Sequence, residues 1–303
     1  MRTPGLRHKV TRQVRVAGET DRKTGIKRRT PLQTGRPQIP VPATRKRKHT
    51  MHPYTFATMK TTRILLTILA AAALTACNRP LKPRFEQLTL DTLLNHPLGT
   101  CQVEYRFASI ANADKSEALR IIEQSNTNYF FHLEDFEGPA EKGMDESLAQ
   151  LAKELRIGDP DYASVHDMEY DTSTESEGYV IDSLLCYSIY RSDYMGGAHS
   201  NYSTEYHLYS IASGFEYTAG DFFGEDKMEA LGQLIRQKLY EKYDVSDDEG
   251  LSEQGFFPGT FFVTDNFKIT PDGAVFIYNP YEIACYATGA VEVEISRKEL
   301  EAL

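Results

Sequence analysis

Residues Ile269-Thr270-Pro271-Asp272-Gly273-Ala274-Val275-Phe276-Ile277-Tyr278 decide the fold. Their centre, Thr270-Pro271-Asp272-Gly273, is turn chemistry. Proline presets φ, aspartate bonds nearby backbone, and glycine supplies a positive φ. Apolar, aromatic and β-branched residues stand on both sides. Residues 259–270 and 273–278 are therefore expected to pair as a hairpin. Val291 to Ile295 would close the same sheet.

Towards the amino terminus the periodicity changes. Residues 226–243 place Leu231, Leu234, Ile235 and Leu239 on one side, as a helix does. Asp244 to Glu253 is acidic and reads as a loop. Residues 204–212 read as a strand, followed by the turn Ala212-Ser213-Gly214. Residues 164–194 read as two long strands, with Asp171 to Glu177 as their polar turn. The second carries Leu185, Tyr187 and Ile189 on one face, opposite Cys186, Ser188 and Tyr190. Residues 114–125 and 145–156 read as helices. The second of these has Asp145 as N-cap and an apolar stripe of Leu148, Leu151, Ala152 and Leu155. Residues 86–92 and 102–109 read as strands. The expected class is α+β, a mostly antiparallel sheet with a few packed helices.

Of 303 residues, 41% are apolar, with 18 Tyr and 15 Phe, enough for a folded core. The net charge of -9 hides an asymmetry. Residues 1–58 carry 15 Lys and Arg against only Glu19 and Asp21. From Cys77 onward there are 17 basic and 41 acidic residues, a net of -24. Such a surface would repel nucleic acid and attract cationic partners.

The contrast has a local explanation. Met59-Lys60-Thr61-Thr62-Arg63 is a basic start, Ile64 to Ala76 a short apolar run, and Leu74-Thr75-Ala76-Cys77 a small-residue junction ending in cysteine. That order is the secretory signal pattern. Thirteen residues from Ile64 to Ala76 would span about 20 Å as a helix, short of the roughly 30 Å hydrocarbon core. The junction resembles the lipobox of bacterial lipoproteins. That resemblance implies that Cys77 is lipidated and begins the mature chain, with more than one acyl chain for stable anchoring. The expected location is the cell envelope, lipid-anchored in the outer membrane.

A basic leader before a signal peptide leaves two readings. Translation starts at Met59 or Met51, or residues 1–58 form a basic arm of the kind that binds nucleic acid. An exported protein has no use for such an arm, so the first reading is preferred. The expected organisation is a leader over 1–58, a signal peptide over 59–76 and a tether over 77–84. A variable α+β part over 85–189 and a carboxyl-terminal part over 190–303 follow.

Three cysteines remain after Cys77: Cys101, Cys186 and Cys285. They allow at most one bridge, and Cys186 and Cys285 read as buried apolar residues within strands. There is no CxxC pair, no H-E-x-x-H, no P-loop and no dinucleotide fingerprint. His199 and His207 lie eight positions apart in strand-like sequence, which does not suit a metal. No cofactor and no metal ligand is assigned.

The most distinctive local string is Tyr194-Met195-Gly196-Gly197-Ala198-His199, after a strand. Paired glycines allow a tight turn or a close approach, and histidine can act as acid, base or ligand. Without a G-x-S-x-G nucleophile the plain alternative is a strand-exit turn. Tyr194, Gly196, Gly197 and His199 are the candidate ligand-binding residues, and no residue is assigned as catalytic.

Two strings together resemble a known family. One is Tyr194 to His199, followed by Thr218-Ala219-Gly220-Asp221-Phe222-Phe223. The other runs from Ile269 through Asn279-Pro280-Tyr281-Glu282-Ile283-Ala284 to Tyr286-Ala287 and Gly289. They are similar to the exported domain typified by the extracellular part of the anti-sigma factor RsiV. That module also accompanies the deacetylase domain of PdaC-type proteins and occurs in many envelope lipoproteins of unknown function. The likeness is strongest over 190–296, and Ser200 stands where the family often has glycine. It implies an α+β fold without catalysis. The deacetylase motif of PdaC-type proteins and the signalling segments of RsiV have no counterpart here. The expected function is a non-enzymatic, membrane-anchored binding protein for a basic protein such as lysozyme or for a cell-wall glycan. The alternatives are a structural or assembly lipoprotein, and a wall-modifying enzyme using His199 with a carboxylate.

Overall fold

The computed structural model describes residues 9–10, 79–96, 99–154 and 168–303. Cys77, the 59–76 segment and the leader apart from Lys9 and Val10 lie outside the described residues. So does the expected strand start at 164–167.

Among the described residues nine strands form two sheets. β1 (Lys9–Val10), β2 (Phe85–His96), β3 (Gly99–Ile110), β4 (Met168–Ile181), β5 (Leu184–Tyr194) and β6 (Asn201–Ser210) make a six-stranded sheet in that order. β1 runs parallel to β2 and β3 parallel to β4, while the other neighbours are antiparallel. The parallel step needs a crossover, which contains helices α1 (Glu117–Phe131) and α2 (Ala140–Glu154). β7 (Phe267–Thr270), β8 (Gly273–Tyr278) and β9 (Val291–Ser296) form an antiparallel three-stranded sheet. Four helices belong to this half: α3 (Ala219–Phe223), α4 (Met228–Tyr243), α5 (Asp248–Glu253) and α6 (Arg297–Glu301). Among the described residues no helix is long and apolar enough to cross a membrane. The α+β reading holds.

The large sheet is apolar on both faces. On one, Val103, Phe107, Leu185, Tyr187 and Ile189 bury against Leu119, Ile122, Phe130 and Phe131 of α1. The Phe107 and Phe130 rings meet edge-on at 5.0 Å. On the other face, Cys186 and Leu208 join a second core with Leu231, Ile235 and Leu239 of α4 and Ala274, Phe276 and Tyr278 of β8. The alternation expected along β5 is therefore the hinge of the whole packing. The 189/190 boundary falls inside β5, and the sheet continues across it.

Several expectations need correction. Asp171 to Glu177 is not a turn, because β4 runs through it and the chain reverses at Asp182-Ser183. This polar strand is stable inside the sheet because its buried Ser176 hydroxyl is satisfied. Ser176 Oγ accepts the Ala108 N–H at 2.9 Å and lies 2.7 Å from the Tyr187 hydroxyl. Within 259–270 only Phe267–Thr270 is a strand. The Phe262 carbonyl accepts from the Tyr278 hydroxyl at 2.6 Å rather than from a ladder amide. The acidic loop contains the short helix α5, capped by the Asp247 carboxylate on the Gly250 N–H. Cys186 is buried in β5 as expected, but Cys285 is half-buried before a 3₁₀ turn, Tyr286–Thr288. Cys101, Cys186 and Cys285 all carry free thiols.

β6 borders the large sheet, and an uncovered edge would leave its amides unpaired. Two asparagines cover it. Asn279 Oδ1 accepts the Thr204 N–H at 2.7 Å and Asn266 Oδ1 the Tyr206 N–H at 2.8 Å. The Thr204 carbonyl accepts from Asn266 Nδ2 at 2.7 Å and Asn279 Nδ2 at 3.1 Å. Farther along, Tyr217 N–H donates to the Leu208 carbonyl and Ser210 N–H to Phe215.

Candidate ligand-binding site

The string after β5 folds as the paired glycines suggest. Gly196 and Gly197 have φ of 86° and 112°, a region open to glycine at no steric cost. The Tyr194 hydroxyl donates to the Gly197 carbonyl at 3.2 Å and closes the turn. His199 is then left exposed at the start of β6.

The second string arrives at the same place. After β8, Asn279 to Glu282 turn tightly: the Glu282 N–H donates to the Asn279 carbonyl, and the Glu282 carboxylate accepts the Asn279 N–H at 3.0 Å. Tyr281 sits at φ 72° with its N–H on the Ala284 carbonyl at 3.0 Å. The chain then brings Tyr286 flat against His199, with ring centroids 3.8 Å apart and planes 19° from parallel. The Tyr286 hydroxyl donates to the Ser200 carbonyl at 2.5 Å. Tyr202 meets Tyr286 edge-on at 5.9 Å and accepts the Ala290 N–H on its hydroxyl at 3.2 Å. Tyr281 lies 5.7 Å from Tyr286. The two strings thus make one partly exposed aromatic face.

Of the candidates, Tyr194, Gly196 and Gly197 shape the loop and His199 enters the face. Tyr202, Tyr281 and Tyr286 were missed as site residues, although Tyr281 and Tyr286 stand in the second string. The His199 ring faces its own Ser200 carbonyl, with Nδ1 at 3.0 Å. Among the described residues no carboxylate hydrogen-bonds it, so this geometry offers stacking surface rather than an acid–base pair.

A second cluster sits beneath α1. His207 Nδ1 lies 2.7 Å from Glu216 Oε1, and its Nε2 3.8 Å from Glu205 Oε2. Its ring stacks on Tyr129 at 4.1 Å. The Tyr129 hydroxyl donates to the other Glu216 oxygen at 3.1 Å, and Arg191 binds Glu205 at 2.6 Å. Burial works against the His207 charge, but the two carboxylates outweigh it and raise its pKa. Burial alone would raise Glu205, yet His207 and Arg191 hold it below the ordinary carboxylate value. Burial, reinforced by Glu216, pushes the Tyr129 hydroxyl up to about 12. His207 and His199 belong to separate clusters. Sequence spacing could not reveal the first, because Tyr129 and Arg191 come from other elements.

Residues 220–298 match the model of a family described as "Protein of unknown function (DUF3298)". No curated protein matches the chain. Several solved structures are similar, two of them as follows. A DUF3298 family member from Bacteroides fragilis superposes with a TM-score of 0.65 at 23% identity, covering 75% of this chain and 95% of that one. A DUF3298 family protein from Pseudomonas aeruginosa gives 0.51 at 12% identity, covering 73% and 94%. These likenesses extend the shared fold well beyond the matched segment: residues 220–298 match the DUF3298 family model, and the fold is similar to that of DUF3298 family proteins over about three quarters of the chain.

Proposed function

We propose that this chain is a lipid-anchored, RsiV-like binding protein of the cell envelope, held at Cys77 and without catalytic activity. The observation that carries the reading is the stack of His199 on Tyr286. It joins the two strings of the family resemblance into one partly exposed face and leaves His199 bonded to backbone. The alternative, His199 paired with a carboxylate as acid and base, is not favoured by a ring that meets only the Ser200 carbonyl among the described residues.

The charge suggests the partner. A net of -24 from Cys77 onward favours a cationic protein, of which lysozyme is one example. Attraction between exposed charges fades beyond about 8 Å at physiological salt, so capture should be salt-sensitive. The full chain in mild detergent, mixed with lysozyme at low and moderate salt, tests this. Retention that falls with salt is expected. No retention at either salt removes the cationic-partner reading.

A further inference from the structure

We propose that the exposed ring of Tyr281 and the half-buried ring of Tyr286 beside it form a stacking platform for a saccharide. This rests on reading the His199 face as the binding surface and names the ligand class for it. Tyr281 provides the first argument. A φ of 72° is unfavourable for a tyrosine, yet its side chain is 55% exposed, more than any other large apolar side chain among the described residues. Burial therefore does not offset the strained backbone. The turn bonds of Asn279, Glu282 and Ala284 hold the conformation in place. A strained residue that displays its ring to solvent is a pre-formed contact for something outside the chain.

Tyr286 provides the second. Its ring lies 5.7 Å from that of Tyr281 and 33° from parallel. His199 props one side and the hydroxyl is fixed on Ser200, so the ring has little freedom left to lose on binding.

The chemistry of the patch provides the third. The adjacent carboxylate, Glu282, is turned onto Asn279, and the Tyr202 hydroxyl is engaged by Ala290. What remains on offer is flat aromatic surface. The C–H face of a pyranose packs on such surface by dispersion, while its hydroxyls stay in water.

Saturation-transfer NMR on the full chain in mild detergent tests the platform. The probes are two β-1,4-linked tetrasaccharides, one of N-acetylglucosamine for an amino-sugar wall polymer and one of glucose for a plain glucan. Transfer to at least one probe is expected. Tyr281→Gly and Tyr286→Ala should each weaken its binding about tenfold, the scale of one lost ring contact. Glycine suits a φ of 72°, so Tyr281→Gly should keep or raise the melting temperature, which separates lost binding from lost folding. Phe262→Ala, an exposed ring outside the patch, should leave binding unchanged. Failure of both probes to receive transfer overturns the proposal, as does full affinity in Tyr281→Gly. Lysozyme retention by a chain that binds neither sugar would leave the binding-protein reading standing and remove this one.

Discussion

Replacing His207 by phenylalanine should reduce stability, and the loss should shrink as pH rises. The substitution keeps a flat ring against Tyr129 and removes only the polar contacts, chiefly the 2.7 Å bond to Glu216. A hydrogen bond between charged groups contributes about 1.5–3 kcal/mol, and a neutral one about 0.5–1.5. The Glu216 side chain is 32% exposed and can rehydrate, which favours the low end of each range. The expected loss is then about 1.5 kcal/mol in acid, falling by about 1 kcal/mol in alkali. The sign follows from the raised pKa. The folded protein binds the His207 proton more tightly than the unfolded chain does. This stabilisation is fully present below about pH 6.5, the unfolded value, and is lost as pH rises through the folded one. Glu205 has a lowered pKa, so its contribution is lost only as pH falls through that value, on the acid side of the window. Calorimetric melts of wild type and variant at about pH 5.5 and 9 measure the gap directly. A domain of this size shifts by about 2–4 °C per kcal/mol, so the gap should narrow by roughly that much between the two conditions. A gap that stays constant, or widens towards alkali, refutes the charged His207 bridge.

Other outcomes follow from single contacts. Gly273→Ala should cost about 3 kcal/mol by denaturant melt, because a Cβ at φ 155° would run into the Ile295 carbonyl oxygen of β9. Ser176→Ala should cost about 2–3 kcal/mol, since it leaves the buried Ala108 amide without its acceptor. Asn279→Ala should cost a similar 2–3 kcal/mol and raise the tendency to aggregate, read by light scattering, because it uncovers β6. Cys77→Ser should abolish incorporation of labelled fatty acid in cells and release the protein into the soluble fraction.

What the sequence disclosed depended on how local the cause was. The β7–β8 turn was legible because Pro271, Asp272 and Gly273 act on their own backbone. The α4 stripe was legible because burial of Leu231, Ile235 and Leu239 repeats with the helix. Asp171 to Glu177 misled because composition alone suggests solvent. The partners that satisfy Ser176 come from β3 and β5, 68 and 11 positions away. Residues 259–266 misled for a related reason. Their aromatic and β-branched residues suit a strand, but Asn266 donates its side chain to β6 and Phe262 accepts from Tyr278. The site followed the same division. Gly196 and Gly197 announced a turn by residue type. The meeting of His199 with Tyr286 required the three-stranded sheet to dock on β6.

That docking is where stability and the proposed function are coupled. Asn279 closes the exposed edge of β6 with one set of atoms, and its backbone N–H is held by Glu282 in the turn that strains Tyr281. The same turn therefore fixes the register between the sheets and the angle at which the aromatic face is shown. The strain at Tyr281 could be removed by glycine at no cost in packing visible here, since the ring is mostly in water. A chain shaped by stability alone would have little reason to keep a tyrosine there. The same holds for stacking a histidine on Tyr286 when its ring finds only a backbone oxygen. Both features have a physical rationale once the ring faces are contacts for a ligand, because rigidity settled during folding lowers the entropy lost on binding. The half-buried His207 bridge serves the fold through the other face of the sheet, and the two histidines therefore answer different tests.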